Sequence, residues 1–291
     1  MASLRQIRSR IKSIQNSKQI MRAMQLVSGS KLKRSQDKLV QSRVVVGFLD
    51  GLLRRVLASE SSAQLTHPLA TTREAGESTL VIVTSDTGLC GSYNANLIQL
   101  AEAHLRRESA RSTQLVFIGK RAHRYFLKRG YRAAEAYLDL AGRPNPAKTE
   151  AIGRALMERF LSGQTASVSI LYSKFLSATT YQPTIQPWLP IHLELANSPA
   201  GQPGDSVEYI FEPSAEQLFA GLLPRWALAK FQLILLEAFT SEHSARMLAM
   251  KNATDNAQEL LTNLTRQRNK IRQAAITKEL SEIVGTVEAL K

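Results

Sequence analysis

The sequence predicts an α/β protein: a long antiparallel coiled coil of the N- and C-terminal helices, plus a central Rossmann-like domain with a small, mostly parallel sheet. Three observations predict it. All ten prolines lie between Pro68 and Pro224, leaving both ends free of the strongest helix breaker. Apolar residues near the N-terminus repeat at heptad spacing. Between the ends, short apolar runs alternate with amphipathic segments, the pattern of strands and covering helices.

The N-terminal helix is expected over residues 1–58. Leu4, Ile7, Ile11, Ile14, Met21, Leu32, Leu39, Val46, Leu49, Leu53 and Val56 occupy one heptad frame, and Lys18, Gln25, Ser28, Ser35 and Ser42 fill its remaining core positions. The serines make a thin, polar seam that permits close helix approach. The central domain is expected over 59–213. Within it Leu80–Thr84, Leu115–Ile118 and Val168–Tyr172 read as buried strands, and Asn94–Arg107, Arg121–Arg129 and Lys148–Leu161 as helices. Gly142–Pro146 and Asn197–Asp205 carry turn residues and read as loops, with a short strand at Glu208–Phe211.

The C-terminal helix is expected over 214–291, opened by Pro213-Ser214. Ala245, Ala249, Ala253 and Ala257 form a small-residue stripe, which Leu260, Leu264 and Ile271 continue. Ile276, Leu280, Ile283, Val287 and Leu290 then form a second stripe, shifted in phase, so the last turns face something else. Helices of this length reach ~87–100 Å, whereas a compact globule of this size is roughly 50 Å across, so the paired ends are expected to protrude. Counted from Pro224, the C-terminal helix outruns its partner by about nine residues, or ~14 Å.

Of the net charge of +14, the first 58 residues supply +11, from 13 basic residues against Asp37 and Asp50. Such a segment calls for an acidic partner. In the heptad frame the charges spread round the helix, with Arg8, Arg10 and Arg22 flanking the core and Arg5 and Lys12 pointing outward. A nucleic-acid binder would gather them on one face with aromatics or amides, and no aromatic precedes Phe48. An acidic protein sleeve fits the spread better; a basic coiled-coil nucleic-acid-binding protein is the alternative. The basic start has no apolar core of a secretory signal, and lone Cys90 forms no internal disulfide.

No catalytic constellation is expected. Asp86-Thr87-Gly88 matches the short signature of aspartic proteases, but that chemistry needs a second carboxylate. Gly88-Leu89-Cys90-Gly91 lies where a phosphate loop would, yet lacks its Lys-Ser/Thr pair. It is expected to be a tight strand-to-helix turn whose glycines adopt positive φ, with Cys90 a buried structural thiol. The five histidines have no ligand spacing. No metal and no cofactor is expected.

Several motifs resemble one family. Leu4-Arg-Gln-Ile-Arg-Ser-Arg-Ile-Lys-Ser-Ile-Gln-Asn16 with Gln19–Met24, Ser85–Gly91 with Asn94, Ser241–Asn256 and Arg272–Gly285 are similar, in order and separation, to gamma subunits of F-type ATP synthases. The resemblance covers nearly the whole chain. It implies a central rotor shaft, whose paired helices sit inside a ring of three alpha and three beta subunits. Its globular domain would rest on the membrane c-ring and contact the epsilon subunit. The shaft would couple ring rotation to ATP synthesis or hydrolysis at the beta sites, binding no nucleotide and entering no membrane. Similarity starting at Leu4 leaves no room for a transit peptide and favours a bacterial chain, peripheral on the cytoplasmic face of the inner membrane.

The resemblance also implies contact residues: Met24 at the beta-subunit lever, Arg246 and Gln273 at the beta catch loop, and Thr277 and Glu279 beside them. Ile276, Leu280, Ile283, Val287 and Leu290 would form an apolar bearing tip. Thr286-Val287, Arg268-Asn269 and Ser28-Gly29-Ser30 depart from the family pattern. The chloroplast-type insert with its cysteine pair is absent.

Overall fold

The computed structural model describes residues 4–58, 65–73, 76–107, 112–140, 142, 145–192, 212 and 214–289, with the backbone alone for 287–289. In chain order the elements are α1 (Leu4–Leu57), a 3-10 turn (Pro68–Ala70), β1 (Ser78–Val83), α2 (Tyr93–Arg107), β2 (Thr113–Ile118), α3 (Lys120–Leu127), β3 (Ala133–Tyr137), α4 (Pro146–Leu161), β4 (Ser167–Phe175), β5 (Tyr181–Leu189) and α5 (Ala215–Ala289). They form two compact units, Met1–Gly29 with Arg246–Lys291, and Ser30–Ala245. The strand expected at Glu208–Phe211 and the loop at Asn197–Asp205 lie outside the described residues.

The larger unit is built on a five-stranded sheet of order β3-β2-β1-β4-β5. β1 pairs in parallel with β2 and β4, β2 with β3, and only β5 runs antiparallel, along β4. Because successive strand residues face opposite ways, each apolar strand serves two cores. Val81, Val83, Val116, Ile118 and Ile170 pack with Ile152, Leu156 and Phe160 of α4 and Phe231 and Leu235 of α5. Leu80, Ile82, Leu115, Phe117 and Leu171 pack with Leu97 and Ala101 of α2 and Phe126 of α3. The apolar stretch Trp226–Phe239 is thus largely a core-facing run of α5. Its entry is capped by Ser214 Oγ, which accepts from Gln217 N–H at 3.2 Å.

Two strands escaped the sequence reading. β3 is Ala-Ala-Glu-Ala-Tyr, poor in β-formers. β5 contains Pro183 and Pro187, which a strand tolerates at a sheet edge, and the edge is where it lies. Pro224, by contrast, stands inside α5 and does not precede it.

In this unit a run of polar residues on α5 is also buried: Thr240, Ser241, Glu242, His243 and Ser244 are each at most 3% exposed. Three of their side chains serve carbonyls of the sheet and its loops. Ser241 Oγ donates to Ser173 O at 2.9 Å, Ser244 Oγ to Ala178 O at 2.6 Å, and His243 Nε2 to Gly142 O at 2.9 Å. Ser35 of α1, a serine of the polar seam, meets Thr240 Oγ1 at 2.7 Å. Arg43 pairs with buried Glu237 at 2.8 Å, and the Tyr172 hydroxyl lies 2.9 Å from Gln186 Oε1 and 3.3 Å from Glu237 Oε2. Burial, then the Glu237 charge, pushes the Tyr172 hydroxyl well above its usual range, so it remains a donor.

Candidate partner-contact surface

In the smaller unit residues 4–29 of α1 lie antiparallel to the stretch of α5 from about residue 247 to about residue 272. Ile7, Ile11 and Leu261 form its buried core, flanked by Ile14, Leu264 and Ile271. Lys18, a polar member of the heptad frame, donates to Gln258 Oε1. A Cβ built on Gly29 would lie 3.5 Å from Met247 Sδ, an ordinary contact. No frame position between Leu4 and Ser28 is exposed. On α5 the stripe departs from expectation at one point: Leu260 is 53% exposed and Leu261 is buried instead. A four-residue step from Ala257, not a three-residue one, keeps the stripe on the helix face.

The Lys18–Gln258 pairing sets the register and brings Leu4 level with about residue 272. Every described side chain from Arg272 to Thr286 is exposed. The overhang is therefore about 17 residues, ~26 Å, longer than the expected nine. The shorter count began the helix after Pro224, whereas α5 already starts at Ala215.

The sequence-predicted contact residues fall at three levels. Met24 is half-buried on α1, and Arg246 is 9% exposed on α5. Gln273, Thr277 and Glu279 are exposed on the overhang, beyond the last apolar contact at Ile271. Ile276, Leu280 and Ile283 are 49%, 57% and 60% exposed, and Val284 extends the stripe at 61%. Sequence reading passed over Val284, although it is a helical neighbour of Leu280. Leu290 and the Val287 side chain lie outside the described residues.

Arg5, Arg8, Arg10, Lys12 and Arg22 are all exposed, and none forms an ion pair among the described residues. An open groove of about 740 Å³ between the two helices is lined by Lys18, Arg22 and Arg266 with the amides of Gln19, Gln258 and Asn269. Cations and amides without a carboxylate suit acidic side chains of a partner.

The turn after β1 is occupied by its own structure. Asp86 Oδ1 accepts from the N–H groups of Lys120 at 3.1 Å and Asp139 at 3.3 Å, while Thr84 Oγ1 and Ser85 O take those of Ala122 and Arg121. The N–H groups that open α3, where a doubly wound sheet often holds an anion, thus have internal acceptors. Asn94 Oδ1 accepts from Ser85 N–H at 3.1 Å, and Asn94 Nδ2 donates to Cys90 Sγ at 3.1 Å. Cys90 is buried. The glycines divide their work differently from expectation. Gly91 adopts φ 58°, but the second positive φ belongs to Leu89, at 63°. Gly88 instead leaves room for the Arg121 guanidinium, into which a Cβ would run. Asp86→Ala, which strands two N–H donors, is expected to destabilise the chain by about 1–3 kcal/mol, and Asp86→Asn by less. Thermal unfolding of the two variants side by side measures this.

The smaller unit is thus a paired-helix scaffold, basic and amide-rich along its length and apolar at its end. The sequence model of the ATP synthase family matches residues 3–290. The chain is 38% identical to the ATP synthase gamma chains of Anaeromyxobacter sp. (strain K) and Moorella thermoacetica, covering 100% of each chain. It belongs to the ATP synthase gamma-chain family. Its fold matches the rotor of Euglena gracilis mitochondrial ATP synthase (TM-score 0.62, 16% identity, 94% of this chain and 98% of that one). It also matches one chain of the central stalk/c-ring structure of Tetrahymena thermophila mitochondrial ATP synthase (TM-score 0.60, 24% identity, 80% of this chain and 99% of that one).

Proposed function

We propose that this chain is the central rotor shaft of a bacterial F-type ATP synthase, coupling rotation of the membrane ion-driven ring to ATP synthesis or hydrolysis at beta-subunit sites. The observation that carries the reading is the smaller unit's surface: exposed arginines without ion-pair partners among the described residues, ending in an exposed apolar stripe. Its partners are three alpha and three beta subunits around the helices, an epsilon subunit and the c-ring. The chain works without a catalytic site of its own, as a peripheral protein on the cytoplasmic face of the inner membrane. The relatives reported above are ATP synthase chains, and the nucleic-acid alternative finds no support among them.

Met24, Arg246, Gln273, Thr277 and Glu279 are the proposed contacts for the beta lever and catch loops. The apolar tip is a bearing: non-directional contacts hold an axis without locking its angle, and an apolar stripe left in water invites aggregation. Co-expression with alpha and beta subunits, followed by observation of ATP-driven rotation of a bead on the central domain, tests the reading. A chain that purifies with nucleic acid and without these subunits overturns it. Deleting residues 286–291 is expected to lower the melting temperature of the complex while hydrolysis stays detectable. Leu280→Asp is expected to be worse, since it buries a charge in the apolar contact that the tip makes with the surrounding subunits. A Leu280→Asp complex as stable as the parent would remove the bearing from the proposal.

A further inference from the structure

From Leu39 onward α1 is apolar on two sides. On the inner side Leu39, Val46, Leu53 and Val56 are buried, the last two in the main core of the larger unit. On the outer side Val40, Val44 and Phe48 stand one turn apart with Val45 next to them, and each is more than half exposed. A surface helix is ordinarily polar opposite its core face, and a helix apolar all round is a buried one. This stretch has the composition of a buried helix, but among the described residues only its inner side is covered.

Gly47 and Gly51 lie on the same outer side, themselves one turn apart. A Cβ built on either would meet nothing within 4 Å, so no described residue uses the room. Each glycine weakens the helix relative to alanine. Together they leave a notch beside Phe48, where the backbone of a second helix can come close. The margins of the row carry one sign of charge. Arg34 and Lys38 edge it on one side and Arg43 on the other; all three are exposed, Arg43 even while it pairs with Glu237. The acids of the stretch are engaged, Asp37 with Lys33 and Asp50 with Lys230, each at 3.0 Å.

We propose that residues 40–51 of α1 are the dock for a helix of a neighbouring subunit, apolar on its inner face and acidic along its margins. The row from Val40 to Gly51 is ~17 Å long, so the contact spans about three turns of that helix. Val44 and Phe48 anchor it, the glycines seat it, and Arg34, Lys38 and Arg43 meet its acids. A second copy of this chain would set those cations against their own kind. A lipid surface would attract the same cations, but it has no use for a notch: the glycines remove apolar area where a membrane-bound helix needs it. The dock lies on the larger unit and uses neither the arginines nor the apolar tip of the smaller one, so it stands apart from the rotor reading.

The full-length chain, in complexes purified from its source organism, carries the test. A benzophenone side chain in place of Val44 is expected to cross-link to a helical segment of another subunit with acidic residues at its edges. Arg34→Glu combined with Lys38→Glu should cut the cross-linking yield roughly fivefold or more at low salt, and less at ~1 M. Gly47→Gln combined with Gly51→Gln separates docking from folding. Glutamine favours a helix, so the free chain should melt roughly 2–4 °C higher, while the longer side chains fill the notch and cross-linking falls by about fivefold or more. The first change without the second would overturn the dock. So would cross-links to lipid, to this chain in the same or a second copy, or to a segment that is basic or not helical, and so would their absence. If either double variant fails to fold, the segment cross-linked at position 44 decides. Alpha and beta subunits in the same preparation are scored separately and bear on the rotor reading alone.

Discussion

Arg8, Arg10 and Arg22 reversed together to glutamate are expected to prevent stable assembly with alpha and beta subunits at low salt. The three side chains are exposed and form no ion pair among the described residues, so reversal leaves the chain's own packing alone. What changes is the field met by the partner. Like charges set against each other cost several kcal/mol, a loss of roughly a hundredfold or more in affinity. Screening shrinks such effects, so the deficit should narrow at ~1 M salt, where the Debye length is about 3 Å. Pull-down across a salt series, with circular dichroism of the free variant, measures both halves. Equal assembly at every salt concentration would mean that the sleeve is not acidic.

Gly119→Ala is expected to be the most damaging single methyl in the larger unit. Gly119 joins β2 to α3 at φ 98°, and a Cβ there would overlap the Thr84 carbonyl oxygen. Both atoms belong to backbone fixed by the sheet, so neither side yields. A loss of about 4 kcal/mol or more is expected, enough to deplete soluble protein. Gly130→Ala is the control: φ is 83° but nothing lies within 4 Å, and the cost should stay near 1–2 kcal/mol. If the two variants melt together, the crowding at Gly119 carries no energy of its own.

Much of this architecture is legible in the residues because the forces that made it are periodic. The heptad frame of α1 holds all along its length: even its polar members are turned inward, with Lys18 meeting Gln258 and Ser35 meeting Thr240. β1 and β2 announce themselves by unbroken apolar runs, and β4 by one interrupted only at Ser169, because both their faces are covered. β3 and β5 do not, since an alanine-rich or proline-bearing edge strand is held by its neighbour and not by its own propensity. The overhang exceeds the nine residues counted from Pro224 for a related reason: that proline is carried within the helix, which starts at Ala215. Least legible is the Thr240–Ser244 run. Ser241, His243 and Ser244 are buried donors to carbonyls of β4 and two loops, a role fixed by residues some 70–100 positions away.

The prolines of β5 bear on how many copies of this chain meet. An open sheet presents two borders, each able to recruit a further strand from an identical molecule. On one border, Pro183 and Pro187 interrupt the row of N–H donors. On the other, β3 is five residues long and bears Glu135, paired with Arg159 at 2.9 Å. Neither border offers an uninterrupted ladder for a twin to extend. Edge-to-edge pairing of two copies through the described sheet is therefore disfavoured.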